Sequence, residues 1–310
     1  MMNLQLKTKL DELAAQKLVN IRLKDNLRLY KYSKRVFFKQ LWNKHPELNE
    51  ARGMVMDQHG NLVSYPFTKV FNHGENGAGF SRDTEVVAVE KVNGFLGVVT
   101  LWQDELLITS SGSFESPFVD LAKQYLNRAA VLDMCRMTPG VTFCFEICDP
   151  SDPHIVLERQ GAYLIGAREN FLGSEKYPEG ALDYFYDKFL RQAHCGDDAG
   201  FRFYRPRWFL AYYDRILANT KDLSRCQIEG YMCHADGKSV KLKSTYYLVK
   251  KFLSRSKKDF SIIWTDPAKA KAEYDEEFYN VMDKLPCIVS CDAWMAADDK
   301  ARLKIMENIL

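Results

Sequence analysis

The pattern that most constrains the fold of this chain is a series of short, strand-like segments separated by turns. Alternating or continuous apolar residues predict strands at 27–32, 52–57, 61–66, 84–90, 95–102, 105–110, 143–147, 162–166, 227–233 and 239–244. Helical periodicity predicts helices at 3–19, 116–134, 178–195, 246–256, 267–284 and 292–309. Because few strands alternate with single helices, we predict an α+β fold with mixed or antiparallel sheets and flanking helices.

The length and composition fit a large domain followed by a small one. The chain has 310 residues, of which 46% are hydrophobic and 27% are charged, as in ordinary globular proteins. We predict a large domain over residues 1–250 and a small helical C-terminal domain over residues 251–310. The boundary is expected near the basic, serine-rich stretch 254–258.

Net charge and cysteine content indicate a compartment rather than a function. The net charge is +2, so any polyanion site has to arise from local clustering of basic residues. The eight cysteines form no Cys-x-x-Cys pair, which predicts reduced, mostly buried thiols rather than a zinc site. No segment has the length of a signal peptide's apolar core or of a membrane span, so we expect a cytoplasmic protein without membrane contact.

Lys91 is the first candidate for a chemical role. It follows the apolar segment 86–89 and precedes a turn at Gly94. A free lysine has a pKa of about 10.4, so it is protonated at neutral pH and becomes a nucleophile only where burial or nearby cations lower that pKa. The pattern Lys-x-x-Gly is common, so Lys91 taken alone is also compatible with an ordinary surface lysine.

Other charged residues occupy strand positions that a phosphate-handling site would need. Strand periodicity places Lys241 and Lys243 on one face, and it places Glu146 opposite the aromatic residues Phe143 and Phe145. Further candidates are Arg52, Lys69 and Glu229. Each residue alone is more typical of a solvated strand edge, a turn or an exposed sheet face. Only their joint occurrence favours a site.

The last predicted hairpin determines whether its charged residues share a face. A two-residue turn at Asp236-Gly237 would pair Lys243 with Gly230, and Glu229 would point to the other side of the sheet. A three-residue loop with Gly237 in the left-handed conformation would instead place Lys243 opposite Glu229. Because a site needs the second arrangement, we predict that register.

In this order, the residues resemble the motifs of the covalent nucleotidyltransferases, which include RNA ligases, DNA ligases and mRNA capping enzymes. The resemblance is to the phage RNA ligase 1 family in particular. It spans about residues 25–250 and is carried by the segments Ala51–Met54, Pro66–Asn72, Lys91–Gly94, Ser111–Ser113, Phe145–Ile147, Ala167–Asn170, Ile228–Tyr231 and Lys241–Ser244. It implies that residues 1–250 form a nucleotidyltransferase (adenylation) domain.

The resemblance implies an ATP-dependent RNA ligase that acts in RNA repair. Lys91 would attack the α-phosphate of ATP and carry a lysyl-AMP; the AMP would pass to an RNA 5′-phosphate, and an RNA 3′-hydroxyl would then displace it. The residues that the family's motifs assign to nucleotide binding are Tyr32, Arg52, Lys69, Glu146, Tyr163, Glu229, Lys241 and Lys243. Among them, Lys241 and Lys243 would hold the α-phosphate, and Arg52 and Lys69 the outgoing phosphates. Mg²⁺ or Mn²⁺ would be placed with the help of Glu229.

The chain departs from the family pattern in three respects. Asn93 stands where relatives often have aspartate or histidine, and Ser111 stands where they often have a basic residue. The helical tail is short, so a preference for tRNA is not implied. Asp266 aligns loosely with a metal position of a longer tail, although aspartate before Pro267 is also typical of a helix N-cap.

The implied partner is RNA with 5′-phosphate and 3′-hydroxyl ends, in a bacterium or a phage-infected host cell. An end-healing kinase or phosphatase is a candidate second partner. Basic clusters predict two RNA-binding surfaces. One comprises Lys250, Lys251, Arg255, Lys257 and Lys258; the other comprises Arg202, Arg205 and Arg207, interleaved with Phe203, Tyr204 and Trp208.

Three alternatives stay open. The first is another covalent nucleotidyltransferase, either a DNA ligase or a GTP-using capping enzyme; the helical prediction after Lys243 weighs against it, because those enzymes mostly carry a β-barrel there. The second is a catalytically inactive nucleotide- or RNA-binding relative, against which the joint presence of Lys91, Glu146 and Glu229 argues. The third is an unrelated α+β protein in which every motif match is accidental.

Overall fold

The computed structural model describes residues 2–152, 154–193, 202–254, 260–274 and 278–309. The chain divides into two compact units. Unit 1 comprises residues 1–36, 40–70 and 92–208, and unit 2 comprises residues 37–39, 71–91 and 209–310. Each unit is therefore assembled from segments that are far apart in the chain.

The elements confirm the predicted α+β class. The strands are β1 (Val19–Lys24), β2 (Leu27–Tyr32), β3 (Arg52–Asp57), β4 (Leu62–Ser64), β5 (Phe71–Asn72), β6 (Glu85–Glu90), β7 (Phe95–Trp102), β8 (Glu105–Ser110), β9 (Val141–Cys148), β10 (Gly161–Glu169), β11 (Arg202–Tyr204), β12 (Trp208–Tyr212), β13 (Gly230–Ala235) and β14 (Lys238–Lys243). The helices are α1 (Met2–Ala15), α2 (Lys34–Phe38), α3 (Pro117–Leu126), α4 (Ala129–Met137), α5 (Glu179–Phe185), α6 (Tyr213–Lys221), α7 (Thr245–Ser254), α8 (Ile262–Thr265), α9 (Pro267–Glu273), α10 (Tyr279–Ile288), α11 (Cys291–Ala296) and α12 (Asp299–Ile309). Short 3-10 helices span Pro46–Asn49 and Glu75–Gly77, and a π-helical turn spans Tyr186–Leu190.

Unit 1 contains an antiparallel sheet in the order β1-β2-β3-β4. Strand periodicity places Leu27 and Leu29 on one face of β2, where they join an apolar cluster with Val55 of β3. On the other face, the hydroxyl of Tyr30 donates to Asp11 of α1 at 3.0 Å. The two faces of β2 therefore have different neighbours, which defines the register of the sheet.

A second sheet of unit 1 has the order β11-β10-β9-β7-β8 and is mixed, because β10 and β11 run parallel. Phe143, Phe145 and Ile147 of β9 are fully buried in its apolar core, which includes residues of α3, α4 and α5. Glu146 lies between two of these residues in the chain and therefore points to the opposite face, as predicted. This sheet presents a carboxylate on the side away from its core.

Unit 2 contains a mixed sheet in the order β12-β6-β13-β14-β5. Its apolar face includes Val86 of β6 and Leu242 of β14, and it forms one cluster with Tyr213 and Ile216 of α6. Lys241 and Lys243 alternate with Leu242, so their side chains lie on the face opposite that cluster.

The elements described after Lys243 are all helices, α7 to α12. Phe252, Phe260, Phe278 and Trp294 are the large fully buried residues of their shared core. Val249 and Phe252, both in α7, belong to this core, so it includes residues on either side of residue 250. The predicted domain boundary there stays a prediction. Within the described part of the chain, no helix has the length and apolarity to cross a bilayer.

The differences from the predicted elements have local causes. The first helix ends at Ala15 rather than at 19, because Lys17 adopts a left-handed φ of 59° and β1 follows. The helix predicted over 116–134 is interrupted, so α3 and α4 are separate. Four strands, β1, β5, β11 and β12, and the helices α2, α6 and α8 were not predicted. Most of these elements are short, and a few residues carry little periodicity.

The cysteines are thiols where the structure describes them. Cys135, Cys144, Cys148, Cys226 and Cys233 are buried, whereas Cys287 is exposed and Cys291 half-buried. The eighth cysteine, Cys195, lies outside the described residues. Burial raises the pKa of the Cys135 and Cys144 thiols to about 12. The prediction of reduced, mostly buried cysteines is confirmed for the seven described ones.

The predicted register of the β13–β14 hairpin is wrong. Lys243 pairs with Gly230, and Lys241 pairs with Met232 rather than with Tyr231. The reason is that Asp236 and Gly237 both have left-handed φ values, 48° and 69°, as in a two-residue type I′ turn. That turn matches the twist of the strands and leaves Glu229 just outside the β-ladder.

Candidate active site

The side chains of Lys91, Glu229 and Lys243 meet in unit 2. Lys91 follows β6, and its N–H donates to the carbonyl oxygen of Gly230 at 2.9 Å, which extends the pairing of β6 with β13. Its Nζ lies 2.9 Å from Oε2 of Glu229, and Nζ of Lys243 contacts Oε1 of the same carboxylate. The Glu229 side chain is 2% exposed and that of Lys91 is 21% exposed. One buried carboxylate thus binds two ammonium groups, of which Lys91 is the more accessible.

Glu229 is ionised in this arrangement. Burial alone would raise its pKa, but the charges and hydrogen bonds of Lys91 and Lys243 outweigh burial and hold the pKa of Glu229 at about 2. Two ammonium groups and one carboxylate leave a net positive charge. Such a group of side chains attracts a phosphate and stabilises negative charge that develops on phosphorus.

Gly230 explains how Glu229 reaches both lysines although the predicted register is wrong. Its φ is +141°, and a Cβ at this position would lie 1.9 Å from the carbonyl oxygen of Leu242. Only glycine tolerates that approach. Glu229 directly precedes this glycine, which pairs with Lys243 and whose carbonyl accepts from the N–H of Lys91. The Glu229 carboxylate therefore contacts both lysines from a position just outside the β-ladder.

Lys241 is on the same face of β14 as Lys243, one alternate position away. Its backbone carbonyl accepts from the N–H of His73 at 2.9 Å, so the strand is held on its β5 side at this point. The structure brings Lys91, Glu229 and Lys243 together, and the nucleotide-binding role of Lys241 stays a prediction.

In unit 1, Glu146 binds the backbone of the Lys-x-x-Gly turn. Its Oε1 accepts from the N–H of Gly94 at 3.1 Å. A Cβ at Gly94 would lie 2.3 Å from the carbonyl oxygen of Ile147, so only glycine allows the turn to pack against β9. The glycine three residues after Lys91 is thus required by a close backbone approach, a reason that the spacing alone did not supply.

Tyr163 lies beside Glu146, because the two residues are paired across β9 and β10. The Tyr163 ring contacts the ring of Tyr204, with centroids 4.9 Å apart, and belongs to an apolar cluster with Val92 and Cys148. Burial raises the pKa of the Tyr163 hydroxyl. The structure therefore places Tyr163 next to Glu146, and the nucleotide-binding role of each stays a prediction.

Asn93 has a structural function in the same turn. Its Oδ1 accepts from the N–H of Val156 at 2.9 Å, and its own N–H donates to Oε1 of Glu158 at 3.3 Å. Asn93 is 6% exposed. The amide side chain thus ties the segment after β9 to the turn.

Tyr32 and Lys69, both predicted to bind nucleotide, meet around a residue that the sequence did not reveal. Trp42 is 1% exposed; its ring contacts that of Tyr32 edge-on, with centroids 5.1 Å apart. Nζ of Lys69 lies 5.1 Å from the centre of the same ring. Trp42 lies in a segment without periodic pattern, so no signal in the sequence pointed to it.

Arg52 is half-buried at the start of β3 and is paired with Lys31 of β2. Lys31 is a further residue that motif comparison overlooked. The sequence did contain a sign of it, because Lys31 continues the alternation of Leu27 and Leu29 and so lies on the inward-facing side of β2.

One predicted RNA-binding surface needs correction. Arg205 is 7% exposed and forms ion pairs with Glu179, at 2.7 Å, and with Asp183, at 2.9 Å. Phe203 is 2% exposed and part of the apolar core of its sheet. Burial and internal ion pairing leave neither residue available for RNA, whereas Arg202, Arg207 and Trp208 are exposed.

The second predicted surface is described only in part. Lys250 lies over the ring of Tyr246, with Nζ 4.3 Å from its centre, and Lys251 lies 5.3 Å from that of Tyr247. Arg255, Lys257 and Lys258 lie outside the described residues. That RNA surface stays a prediction.

Asp266 caps α9, because its carboxylate accepts from the N–H of Lys269 at 3.0 Å. The N-cap interpretation is confirmed, and the metal role of Asp266 stays a prediction. Within the described residues, no three His, Cys, Asp or Glu side chains are grouped as a metal site would require. A divalent ion near Glu229 would therefore need phosphate and water oxygens to complete its coordination, which is usual for Mg²⁺.

Comparison with known proteins adds a family match. The family model described as RNA ligase matches residues 50–252, about two thirds of the chain, and this segment contains every residue of the two carboxylate sites above. No curated protein matches the chain significantly.

Solved structures share the fold. Two structures described as an archaeal ATP-dependent RNA ligase match: form 2 with a TM-score of 0.58 and 12% identity, and form 1 with a TM-score of 0.57 and 13% identity. Each match covers 100% of this chain and 79% of that one. A protein from Aquifex aeolicus, described provisionally as an ATP-dependent DNA ligase, matches with a TM-score of 0.57 and 12% identity, over 98% of this chain and 76% of that one.

Proposed function

Because the chain belongs to the RNA ligase family, we propose that it uses ATP to join RNA 5′-phosphate and 3′-hydroxyl ends through a lysyl-AMP on Lys91. The observation that supports this most directly is the contact of Lys91 with the buried carboxylate of Glu229, at 2.9 Å, beside Lys243. A surface lysine would have no reason to share a fully buried counter-charge. The arrangement suits a lysine that must be held in one position and then react.

In the first step, Nζ of Lys91 loses a proton, and its lone pair forms a bond to the α-phosphorus of ATP. The bond from that phosphorus to the β-phosphate oxygen breaks, and pyrophosphate leaves with the electron pair. Because the pKa of Glu229 is about 2, its carboxylate is a weak base, and the proton passes to solvent. Glu229 therefore orients Lys91 rather than acting as its final proton acceptor.

Lys241 and Lys243 neutralise the negative charge of the α-phosphate. Both side chains lie on the face of β14 opposite Leu242. Arg52 and Lys69 bind the leaving phosphates, with Tyr32 as a nucleotide contact. Glu146 and Tyr163, which are paired across their strands, contact the nucleoside. A divalent ion, Mg²⁺ or Mn²⁺, would supply further charge neutralisation, with Glu229 as its protein carboxylate.

In the second step, an oxygen of the RNA 5′-phosphate attacks the phosphorus of the lysyl-AMP, and the N–P bond to Lys91 breaks. In the third, the RNA 3′-hydroxyl attacks the activated 5′-phosphate, a phosphodiester forms and AMP leaves. RNA rather than DNA as the substrate rests on the family match. The helices α7 to α12 after Lys243 are consistent with it, because capping enzymes and most DNA ligases carry a β-barrel there.

The test is covalent labelling. The protein is incubated with Mg²⁺ and α-labelled ATP or GTP, denatured and separated. Wild type should retain label from ATP alone, and Lys91→Ala should retain none. Lys238→Ala is the matched control, since this exposed lysine lies on the same hairpin as Lys243.

Label from GTP alone would favour a capping enzyme, and no label at any pH would defeat the enzyme hypothesis. Joining assays with RNA and DNA strands then identify the polynucleotide.

Ends that carry a 5′-hydroxyl or a 3′-phosphate need conversion before this chemistry, so we also propose that an end-healing kinase or phosphatase acts upstream. This proposal predicts that the protein seals RNA with 5′-hydroxyl or 3′-phosphate ends only when a kinase or phosphatase is added.

A further inference from the structure

Lys31 is a charge at an inward-facing position. Leu27 and Leu29 precede it on the same face of β2, and both are buried in an apolar cluster with Phe114. Nζ of Lys31 lies 3.4 Å from Oγ of Ser111. A lysine at such a position is unusual, because burying its ammonium without a counter-charge is unfavourable.

A β-bulge places a second cation opposite Lys31. The pairing of β2 with β3 shifts between Tyr30 and Lys31, so that Gly53 is skipped and Lys31 pairs with Arg52. Gly53 has a φ of +95°, and a Cβ there would lie 2.9 Å from Cα of Ser111. The bulge therefore brings Arg52, Lys31 and the backbone at Ser111 to one place.

In the described part of the chain, neither cation has a counter-charge, because no carboxylate lies within 4.0 Å of Lys31 or of Arg52. Burial, together with the charge of Arg52, lowers the pKa of Lys31. Repulsion between two half-buried cations is unfavourable for folding, so an anion bound between them would relieve it.

We propose that Lys31, Arg52 and the Ser111 hydroxyl form a phosphate-binding site that takes the β- and γ-phosphates of ATP. The assignment rests on the proposed function for the choice of ATP. Two adjacent cations match the two adjacent phosphates of the leaving group better than they match an RNA strand, whose phosphates each carry one charge and lie farther apart. The Arg52 guanidinium adds the paired N–H donors that phosphate oxygens accept. Lys31 itself lies outside the residues that the RNA ligase family model matches.

The first experiment measures binding of inorganic pyrophosphate by calorimetry. Lys31→Met should weaken it by about tenfold or more, as expected for loss of a charge-assisted contact, and Lys31→Arg should restore most of it. The control is Lys24→Met, which removes the same charge from β1, where Lys24 pairs with exposed Glu115 at 3.4 Å. Thermal unfolding confirms that each variant is folded. Equal affinity of wild type and Lys31→Met would overturn the site.

The second experiment separates the steps of the reaction. Lys31→Met should lower labelling of Lys91 at limiting ATP, while sealing of pre-adenylylated RNA, which carries no β- or γ-phosphate of ATP, proceeds as in wild type. Normal labelling with impaired sealing would place an RNA phosphate at the site and overturn the ATP assignment. If wild type binds pyrophosphate through Lys31 but is never labelled, the phosphate site stands and the proposed function fails.

Discussion

Nζ of Lys91 and Oε2 of Glu229 lie 2.9 Å apart, although one residue follows β6 and the other precedes β13. The contact exists because β6 and β13 pair along their length and Gly230 turns the chain at the end of that pairing. Since Lys243 binds the other oxygen of the same carboxylate, Glu229 couples the two lysines. Replacing any one of these three side chains should therefore change the position or the ionisation of the other two.

Glu229→Gln should destabilise the protein by about 3–5 kcal/mol at neutral pH, because two ammonium groups lose their buried counter-charge. The pH dependence follows from the carboxyl group, whose pKa is about 2 in the folded protein and 4.5 ordinarily. A depressed folded pKa contributes stability above the unfolded pKa, so that contribution, about 3 kcal/mol at most, is lost as the pH falls from about 4.5 to about 2. Urea unfolding of both proteins between pH 2 and 7 measures this contribution. If the free energies of unfolding of wild type and variant changed equally with pH, the ion pairing would be contradicted.

Lys243→Met should shift the same acid transition. With one of its two counter-charges removed, Glu229 keeps a higher pKa, so stability should be lost at higher pH than in wild type. Labelling by ATP should fall by about a hundredfold, as for loss of one group that stabilises charge in a transition state. Lys238→Met, at an exposed position of the same hairpin, should change neither the acid transition nor the labelling.

Gly230→Ala should abolish labelling and lower stability by about 1–3 kcal/mol or more, because the new Cβ would lie 1.9 Å from the carbonyl oxygen of Leu242. Gly180→Ala is the matched control. Gly180 lies in α5, and a Cβ there meets nothing within 4 Å, so that variant should be slightly more stable. Thermal unfolding and labelling together check the pair. Retention of full labelling by Gly230→Ala would show that the turn of the chain at Gly230 is dispensable.

Arg205→Met and Arg207→Met should differ in stability. Arg205 is paired with Glu179 and Asp183, so its removal takes away one of the two cations that bind the buried Glu179 carboxylate, the other being Lys176, and should cost about 1–3 kcal/mol. Arg207 is exposed, and its removal should change stability by less than about 0.5 kcal/mol. Denaturant unfolding distinguishes them. Equal and small effects would return Arg205 to the candidate RNA contacts.

Much of the site followed from local patterns. The alternation in β14 sets Lys241 and Lys243 on one face, and the alternation in β9 sets Glu146 opposite its aromatic neighbours. These predictions succeed because the side-chain period of a strand is a property of the backbone itself. The order of the motifs likewise identified the family, which the match over residues 50–252 confirms.

The register of the hairpin was predicted wrongly for a reason that is also local. Asp236-Gly237 suits a two-residue turn, and the chain follows that preference. The predicted register was chosen to bring Glu229 to Lys243. The two side chains do meet, but in a register in which Lys243 pairs with Gly230 and Glu229 lies just outside the β-ladder.

The sequence by itself determined most of the strands, the faces that β9 and β14 present and the family to which the chain belongs, because these depend on near neighbours and on motif order. Only the tertiary structure decided that Trp42 contacts Tyr32 and Lys69, and that Lys31 stands opposite Arg52. Such contacts join segments far apart in the chain. Their geometry depends on bulges, glycine conformations and packing that no periodic pattern encodes.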